Sequence, residues 1–120
     1  MEEDRVFLTR SLCMNRNPQG AIVGIKGVWL GAIIPIRDGE EIVIGRAAGM
    51  CDLVLPEKVV SRRHCSIVYH ESTGDYSVWD WSSNGTFLRG GKRLERNREY
   101  TLKTGAELLI GSRDNVFKLG

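Results

Sequence analysis

Short runs of β-branched and aromatic residues recur along the chain from residue 21 onward, and turn signals separate them. Inside the runs, apolar and polar positions alternate with a period of two, which is typical of strands with one buried face. No long window keeps the apolar stripe of a helix. The strand-like runs are AIVGIK, LGAIIPI, EIVIG, DLVL, CSIVYH, YSVWDW, TFL, EYTL, ELLIG and NVFKL. Short strands at this spacing predict an all-β protein, an antiparallel sandwich or barrel.

The first twenty residues differ from the rest of the chain. They show no sustained period and end in the turn-type cluster NRNPQG. We interpret residues 1–20 as an N-terminal tail or linker and residues 21–119 as the folded domain. A chain of 120 residues is long enough to bury one hydrophobic core.

Composition narrows the function classes. The net charge of +2 and the pI near 8.5 are low for a nucleic-acid ligand. Three widely spaced cysteines indicate reduced thiols, not a disulfide framework or a zinc site. The most apolar stretch, residues 27–36, is too short for a membrane helix. We therefore expect a cytoplasmic protein with no metal, no cofactor and no membrane insertion.

Three turns contain groups suited to binding an anion: GRAAG at 45–49, VVSRRH at 59–64 and WSSNGTF at 81–87. The adjacent Arg62 and Arg63 repel each other, and a bound anion would offset this repulsion. The hydroxyl of Ser61 can donate a hydrogen bond to a phosphate oxygen, and an arginine presents a planar fork that fits two oxygens. The alternative is an ordinary turn with exposed arginines, in which His64 is hydrogen-bonded to backbone groups.

The other two turns are less specific when each is taken alone. Arg46 follows Gly45 at the end of a strand, and a solvated arginine would occupy the same place. Asn84-Gly85 is a strong hairpin signal, because both residues tolerate positive φ. The small polar groups of this turn are nonetheless suited to contact the backbone of a ligand.

Together, Gly45-Arg46, the S-R-x-H of residues 61–64 and the S-x-N-G-T of residues 82–86 resemble the motif set of the forkhead-associated (FHA) domain family. The surrounding stretches DGEEIVIGR, DLVLPEKVVSRRH, YSVWDWSSNGTFL and AELLIG are similar to that family as well. The resemblance covers roughly residues 21–119. It implies an antiparallel β-sandwich of about eleven short strands, of the SMAD/FHA type, that binds phosphothreonine and has no catalytic activity.

The resemblance also implies roles for matching positions. Five residues would contact the phosphopeptide: Arg46, Ser61, Arg62, Ser83 and Asn84. Four would shape the loops: Gly45, His64, Gly85 and Thr86. Arg63, at the family's variable position, would add electrostatic support. Val59 lies where family members often contact the residue three places after the phosphothreonine.

The implied partner is a phosphothreonine-containing protein in Ser/Thr-kinase signalling, either a kinase substrate or the kinase itself. The residues agree with this, because phosphothreonine carries nearly two negative charges and three acceptor oxygens. The preference for threonine over serine needs a pocket for one methyl group, which only the resemblance implies.

Three alternative functions are compatible with this sequence. Ser61, His64 and Asp80 would be the members of a catalytic triad, but no nucleophile elbow accompanies them. The basic residues between 89 and 98 would track nucleic-acid phosphates, but a solvated edge hairpin is the simpler interpretation. A phosphate-independent interaction module on the same fold is the third, and its binding would survive substitution of Arg46 and Ser61.

Overall fold

Ten strands, in the order of the predicted runs, form two five-stranded sheets in the computed structural model, which describes residues 20–120. They are β1 (Gly20–Lys26), β2 (Ile33–Ile36), β3 (Glu41–Gly45), β4 (Leu53–Val54), β5 (Cys65–His70), β6 (Asp75–Asp80), β7 (Thr86–Leu88), β8 (Glu99–Leu102), β9 (Glu107–Ile110) and β10 (Val116–Leu119). The predicted tail lies outside the described residues except for Gly20, which begins β1.

The strand order is β2-β1-β10-β9-β7 in the first sheet and β4-β3-β5-β6-β8 in the second. The predicted all-β sandwich is confirmed, with ten described strands against an expected eleven or so. All pairs are antiparallel except β3 and β4, which run parallel. Asp52 explains this pair, because its N–H donates to Val43 O and its Oδ2 accepts from Val43 N, each at 2.8 Å. The chain is thereby returned to the edge of β3 in the same direction.

Both sheets contribute to one core, as the alternation predicts. Ile67 and Val78 of the second sheet are fully buried, as are Leu108 and Phe117 of the first. Tyr76 joins the sheets, since its hydroxyl accepts a hydrogen bond from Ala21 N at 3.0 Å. Alternation alone does not account for Ser66, which lies on the outer face of β5 but is also buried. Trp81 covers it and donates from Nε1 to its hydroxyl at 2.9 Å.

Four loops meet at one end of the sandwich, and we call them the apical loops: residues 46–52, 55–64, 81–85 and 111–115. Backbone hydrogen bonds join them, from Arg46 N to Ser61 O at 2.9 Å and from Gly111 N to Gly85 O at 3.1 Å. The three turns that the sequence predicts to bind an anion therefore lie together. No helix in residues 20–120 has the length and apolar character to cross a membrane.

Core burial predicts a contrast between two isoleucines. Ile67 has an exposed fraction of 0%, whereas Ile33 on the edge strand β2 is 72% exposed. We expect Ile67→Ala to lower the free energy of unfolding by about 2–5 kcal/mol, because it leaves a cavity in the core. Ile33→Ala should change it by less than about 1 kcal/mol. Urea unfolding followed by tryptophan fluorescence measures both, and equal losses would contradict the core assignment.

Candidate functional site

Gly45 allows the first and second apical loops to approach each other closely. A Cβ at this position would overlap Arg62 O and would lie 2.8 Å from Cys51 Sγ. The close approach lets Ala47 N donate to Arg62 O at 3.1 Å. The Cys51 thiol donates to the same carbonyl at 2.9 Å. Gly45 is required here for contact between backbones and not for an unusual φ.

Arg46 leaves the end of β3 with its side chain already oriented. Its Nε donates to Val60 O at 2.9 Å, while the residue as a whole is exposed. This hydrogen bond uses only the Nε–H, and no hydrogen bond within residues 20–120 uses the two terminal amino groups. A planar, permanently charged fork is thereby held beside the loop that contains Ser61.

His64 is fully buried beneath the second and third apical loops. Its Nδ1 accepts a hydrogen bond from Ser61 N at 3.0 Å, so this nitrogen carries no proton in the neutral ring. Nε2 therefore carries the proton and donates to Gly85 O at 2.8 Å. One imidazole thus joins the S-R-x-H turn to the Asn-Gly turn. Burial lowers the pKa of His64 below its ordinary value, which favours this neutral form.

Ser61 and Ser83 lie side by side. The Ser61 hydroxyl oxygen accepts a hydrogen bond from Ser83 N at 3.2 Å. An acceptor role for the oxygen leaves the hydroxyl proton available to donate outward. Ser61 is half-buried and Ser83 is exposed, so a ligand can reach both.

Asn84 reaches back across the site. Its Nδ2 donates to Val59 O at 2.9 Å, which links the third apical loop to the second. The following residue, Gly85, has a φ of 104°, a conformation that favours glycine. The turn chemistry that identifies Asn84-Gly85 in the sequence is therefore the chemistry that places the amide of Asn84 beside Val59.

Asp80 supports the Asn-Gly turn from inside. Its Oδ1 accepts hydrogen bonds from Ser82 Oγ at 2.6 Å and from Thr86 Oγ1 at 2.9 Å, and all three residues are buried. Ser82 Oγ in turn accepts from Gly85 N at 2.8 Å. Sequence reasoning considered Asp80 only as a triad member and missed this role. The sequence signal was a charged residue on the same strand face as the apolar Tyr76 and Val78, two residues before Ser82.

The two adjacent arginines, Arg62 and Arg63, differ in their contacts. Arg63 forms an ion pair with Glu41 at 3.4 Å, and its guanidinium carbon lies 4.9 Å from the centre of the Trp81 ring. Among residues 20–120, no ion pair holds the exposed Arg62. Glu41 therefore offsets part of the repulsion, and electrostatic support of a ligand by Arg63 stays a prediction.

Arg93 is a site residue that sequence reasoning missed. Its Nη2 donates to Ser83 O at 3.0 Å, and its guanidinium carbon lies 5.9 Å from the centre of the Phe87 ring. In the sequence it is one of several basic residues in a hairpin, and nothing local distinguishes it. Only the pairing of the hairpin with β7 brings it to the Asn-Gly turn.

The hydrogen bonds disagree with a catalytic triad. Both ring nitrogens of His64 are occupied by backbone groups, at Ser61 N and Gly85 O. Neither is hydrogen-bonded to the Ser61 hydroxyl, and Asp80 Oδ1 is bound to Ser82 and Thr86. A general base needs a hydrogen bond to the nucleophile, and this histidine has none to offer.

The model of the family described as FHA domain matches residues 42–111, which is more than half of the chain. This chain belongs to the FHA domain family. The match includes all eleven residues proposed for the site. The fold expected from the resemblance is therefore confirmed.

Similar proteins and solved structures agree with this family assignment. Probable serine/threonine-protein kinase fhkA of Dictyostelium discoideum is 34% identical over 85 residues, which is 65% of this chain and 14% of that protein. E3 ubiquitin-protein ligase CHFR of Xenopus laevis is 39% identical over 77 residues, 63% of this chain and 12% of that protein. The crystal structure of the MEK1 FHA domain in complex with a HOP1 phosphothreonine peptide has a TM-score of 0.67 and 25% identity, covering 83% of this chain and 93% of that one. The chain thus spans a small part of its curated relatives.

Two glycines of this FHA domain give a matched test of the loop contact. A Cβ at Gly45 would overlap Arg62 O, whereas a Cβ at Gly49 would meet no atom within 4 Å. We expect Gly45→Ala to lower the free energy of unfolding by about 1–3 kcal/mol through overpacking. Gly49→Ala should leave it unchanged or raise it by up to about 1 kcal/mol. Chemical denaturation of both variants decides the matter, and a neutral Gly45→Ala would show that the loops need not touch.

The protonation of His64 should be visible in the pH dependence of stability. Its pKa is lowered in the folded state, so the unfolded chain, with an ordinary pKa of about 6.5, takes up a proton first. The contribution of neutral His64 to the free energy of unfolding is therefore complete at pH values above the unfolded pKa. It is lost as the pH falls from about 7 toward the lower folded pKa. Urea unfolding of His70→Gln at pH 7.5, 6.5 and 5.5 measures it, because His64 is then the one histidine of the chain.

Its control is the double variant that also carries His64→Gln. It should be less stable at every pH, since glutamine cannot reproduce both ring hydrogen bonds, and its stability should vary less over this range. A His70→Gln protein whose free energy of unfolding is flat between pH 7.5 and 5.5 would contradict the lowered pKa and the neutral, buried state of His64.

Proposed function

We propose that this FHA domain is a non-catalytic module that binds phosphothreonine-containing segments of partner proteins in Ser/Thr-kinase signalling. Its recognising domain spans residues 21–119, preceded by a tail or linker at 1–20, and it works in the cytoplasm. The observation that carries the proposal is the fixed guanidinium of Arg46. Its Nε is held by the carbonyl of Val60, the residue before Ser61, while Arg46 as a whole is exposed and no hydrogen bond within residues 20–120 uses its terminal amino groups.

Phosphate is the anion that suits this arrangement best. Arg46 supplies a fork for two oxygens, the Ser61 hydroxyl supplies one donor, and the exposed Arg62 adds a second cation from the same turn. A carboxylate has a single charge and only two oxygens, so it would leave part of this donor set unused. Arg46 and Arg62, two like charges on neighbouring loops, would then share a ligand with nearly two negative charges.

The third apical loop supplies groups for the peptide backbone. Asn84 uses one N–H for Val59 O, and no hydrogen bond within residues 20–120 uses its Oδ1. Ser83 is exposed beside it and its N–H is directed to Ser61. We assign Asn84 to the backbone of the peptide next to the phosphothreonine and Ser83 to the wall of the site.

The partner proposed here is a kinase substrate or a kinase itself. One of the relatives is named as a probable serine/threonine-protein kinase, and the similar MEK1 FHA domain was crystallised with a phosphothreonine peptide. In this chain the assignment rests on the donor set at Arg46, Ser61 and Arg62. Burial of the threonine methyl group alone would favour phosphothreonine over phosphoserine by about 0.8 kcal/mol, roughly fourfold.

A titration with degenerate peptide pools tests the proposal. Fluorescence anisotropy with pools centred on phosphothreonine, phosphoserine and unmodified threonine should show saturable binding of the phosphothreonine pool. Arg46→Ala should weaken it roughly 10- to 100-fold, because hydrogen bonds to charged groups contribute about 1.5–3 kcal/mol. The affinity of Arg46→Lys should lie between those of the wild type and Arg46→Ala, since a lysine keeps the charge but has no Nε–H for Val60 O and no planar fork.

Arg37→Ala is the matched control. Arg37 is exposed and lies in the turn before β3, at the opposite end of that strand from Arg46. It removes the same charge and should leave binding unchanged. Equal binding of all three pools, or equal loss in Arg46→Ala and Arg37→Ala, would overturn the proposal. Binding of a partner that survives Arg46→Ala and Ser61→Ala would instead identify a phosphate-independent module.

A further inference from the structure

A shallow groove crosses the outer face of the first sheet. It consists of two adjoining cavities of about 280 and 440 Å³, which share Leu109 and Arg113. The first is lined by Phe87 and Ser112 as well, and the second extends to Lys26 and Val116. Phe87 adjoins the phosphate site described above through its contact with Arg93, and the other lining residues were given no role there.

The floor of the groove is apolar. Phe87, Leu109 and Val116 come from the neighbouring strands β7, β9 and β10, and Leu109 is paired with both of the others. The outer face of an antiparallel sheet is usually polar, because it meets water. Neighbouring strands lie about 4.8 Å apart, so these side chains form a strip about 10 Å wide.

The rim of the groove is basic. Lys26, Arg89 and Arg113 surround the second cavity, against one acidic residue, Glu107. Glu107 is engaged by Arg89, whose Nη1 lies 3.1 and 3.0 Å from its two carboxylate oxygens. In the part of the chain that the structure describes, no ion pair holds Lys26 or Arg113. The exposed Asp114 is the other acidic residue close to this rim in sequence.

The groove begins at the phosphate site. Gly111 donates to Gly85 O at 3.1 Å, and Arg113 follows two residues later, within about 7 Å of chain. Arg93 connects the two regions directly, because it donates to Ser83 O and covers the Phe87 ring. An extended peptide advances about 3.3 Å per residue, so two to four residues would lead from the phosphothreonine into the groove.

We propose that this groove binds an acidic segment that flanks the phosphothreonine in the same partner chain. The inference rests on the proposed function and adds a second subsite to it. An extended segment with alternating apolar and acidic residues fits, because its apolar side chains would cover Leu109 and Val116 while the long side chains of Lys26 and Arg113 would reach up to its outward-facing carboxylates. The cationic rim matches that charge, and the strip of apolar floor suits a peptide better than a nucleic-acid backbone.

The test uses synthetic peptides of defined extension. The core is the degenerate phosphothreonine pool, and it carries at either end a Glu-Leu repeat or the isosteric Gln-Leu repeat. We expect the Glu-Leu extension at one end to tighten binding roughly two- to thirty-fold over Gln-Leu, as two partly exposed ion pairs would. The gain should shrink as salt is raised. It should disappear in the double variant Lys26→Glu/Arg113→Glu, which should still bind the bare core peptide like the wild type.

Arg37→Glu is the control for one charge reversal outside the groove, and it should keep the gain, whereas Lys26→Glu and Arg113→Glu, which each change the net charge by the same amount, should each lose part of it. Two outcomes would overturn this inference and leave the proposed function in place. In the first, the core peptide binds but Glu-Leu at either end gives no gain in affinity. In the second, the gain is lost equally in Arg37→Glu. No binding of any phosphothreonine peptide would overturn both. An oligothymidylate probe that binds the wild type and is lost in the double variant would assign the groove to nucleic acid and overturn the inference alone.

Discussion

The two ring nitrogens of His64 hold the apical loops in one arrangement, and the geometry of the phosphate site depends on that arrangement. A buried imidazole is costly unless both nitrogens are hydrogen-bonded. Here Ser61 N–H and Gly85 O satisfy both, and only for the neutral ring with its proton on Nε2. The S-R-x-H and Asn-Gly turns are therefore fixed relative to each other before any ligand arrives. A peptide would bind without first ordering these loops, which lowers the entropic cost of association.

A second buried group completes this support from below. Asp80 Oδ1 accepts hydrogen bonds from Ser82 and Thr86, while Oδ2 has no partner among the described residues. A buried carboxylate is expensive, so it is retained where its hydrogen bonds specify a conformation. Here it specifies the turn that carries Ser83 and Asn84. The exposed residues of the site are thus positioned by two buried polar groups, one in each of two neighbouring segments.

Much of this could be predicted from the sequence, since the signals are local. Alternation of apolar residues located the ten strands, and turn chemistry located Asn84-Gly85. The structural features that were missed depend on which backbone segments pair and on side-chain contacts across those pairs. Arg93 reaches Ser83 only because its hairpin folds back on β7, and Arg63 meets Glu41 only because β3 lies beside β5. The parallel β4 depends on the side chain of one aspartate, Asp52, and no periodicity shows that.

Binding of the phosphate and discrimination between partner proteins are two different physical tasks. Contacts to a phosphate are the same for every phosphothreonine, so the contacts proposed for Arg46 and Ser61 would supply affinity but would not distinguish partners. Discrimination between two phosphorylated proteins is a difference between two binding free energies, and it must come from groups beyond the phosphate. We propose the exposed Val59 and the groove behind Arg93 for this task, and both adjoin the Asn-Gly turn that His64 fixes. A loop held rigidly at the phosphate also fixes where the flanking residues fall, so weak contacts in the groove would act on a peptide whose register is already set.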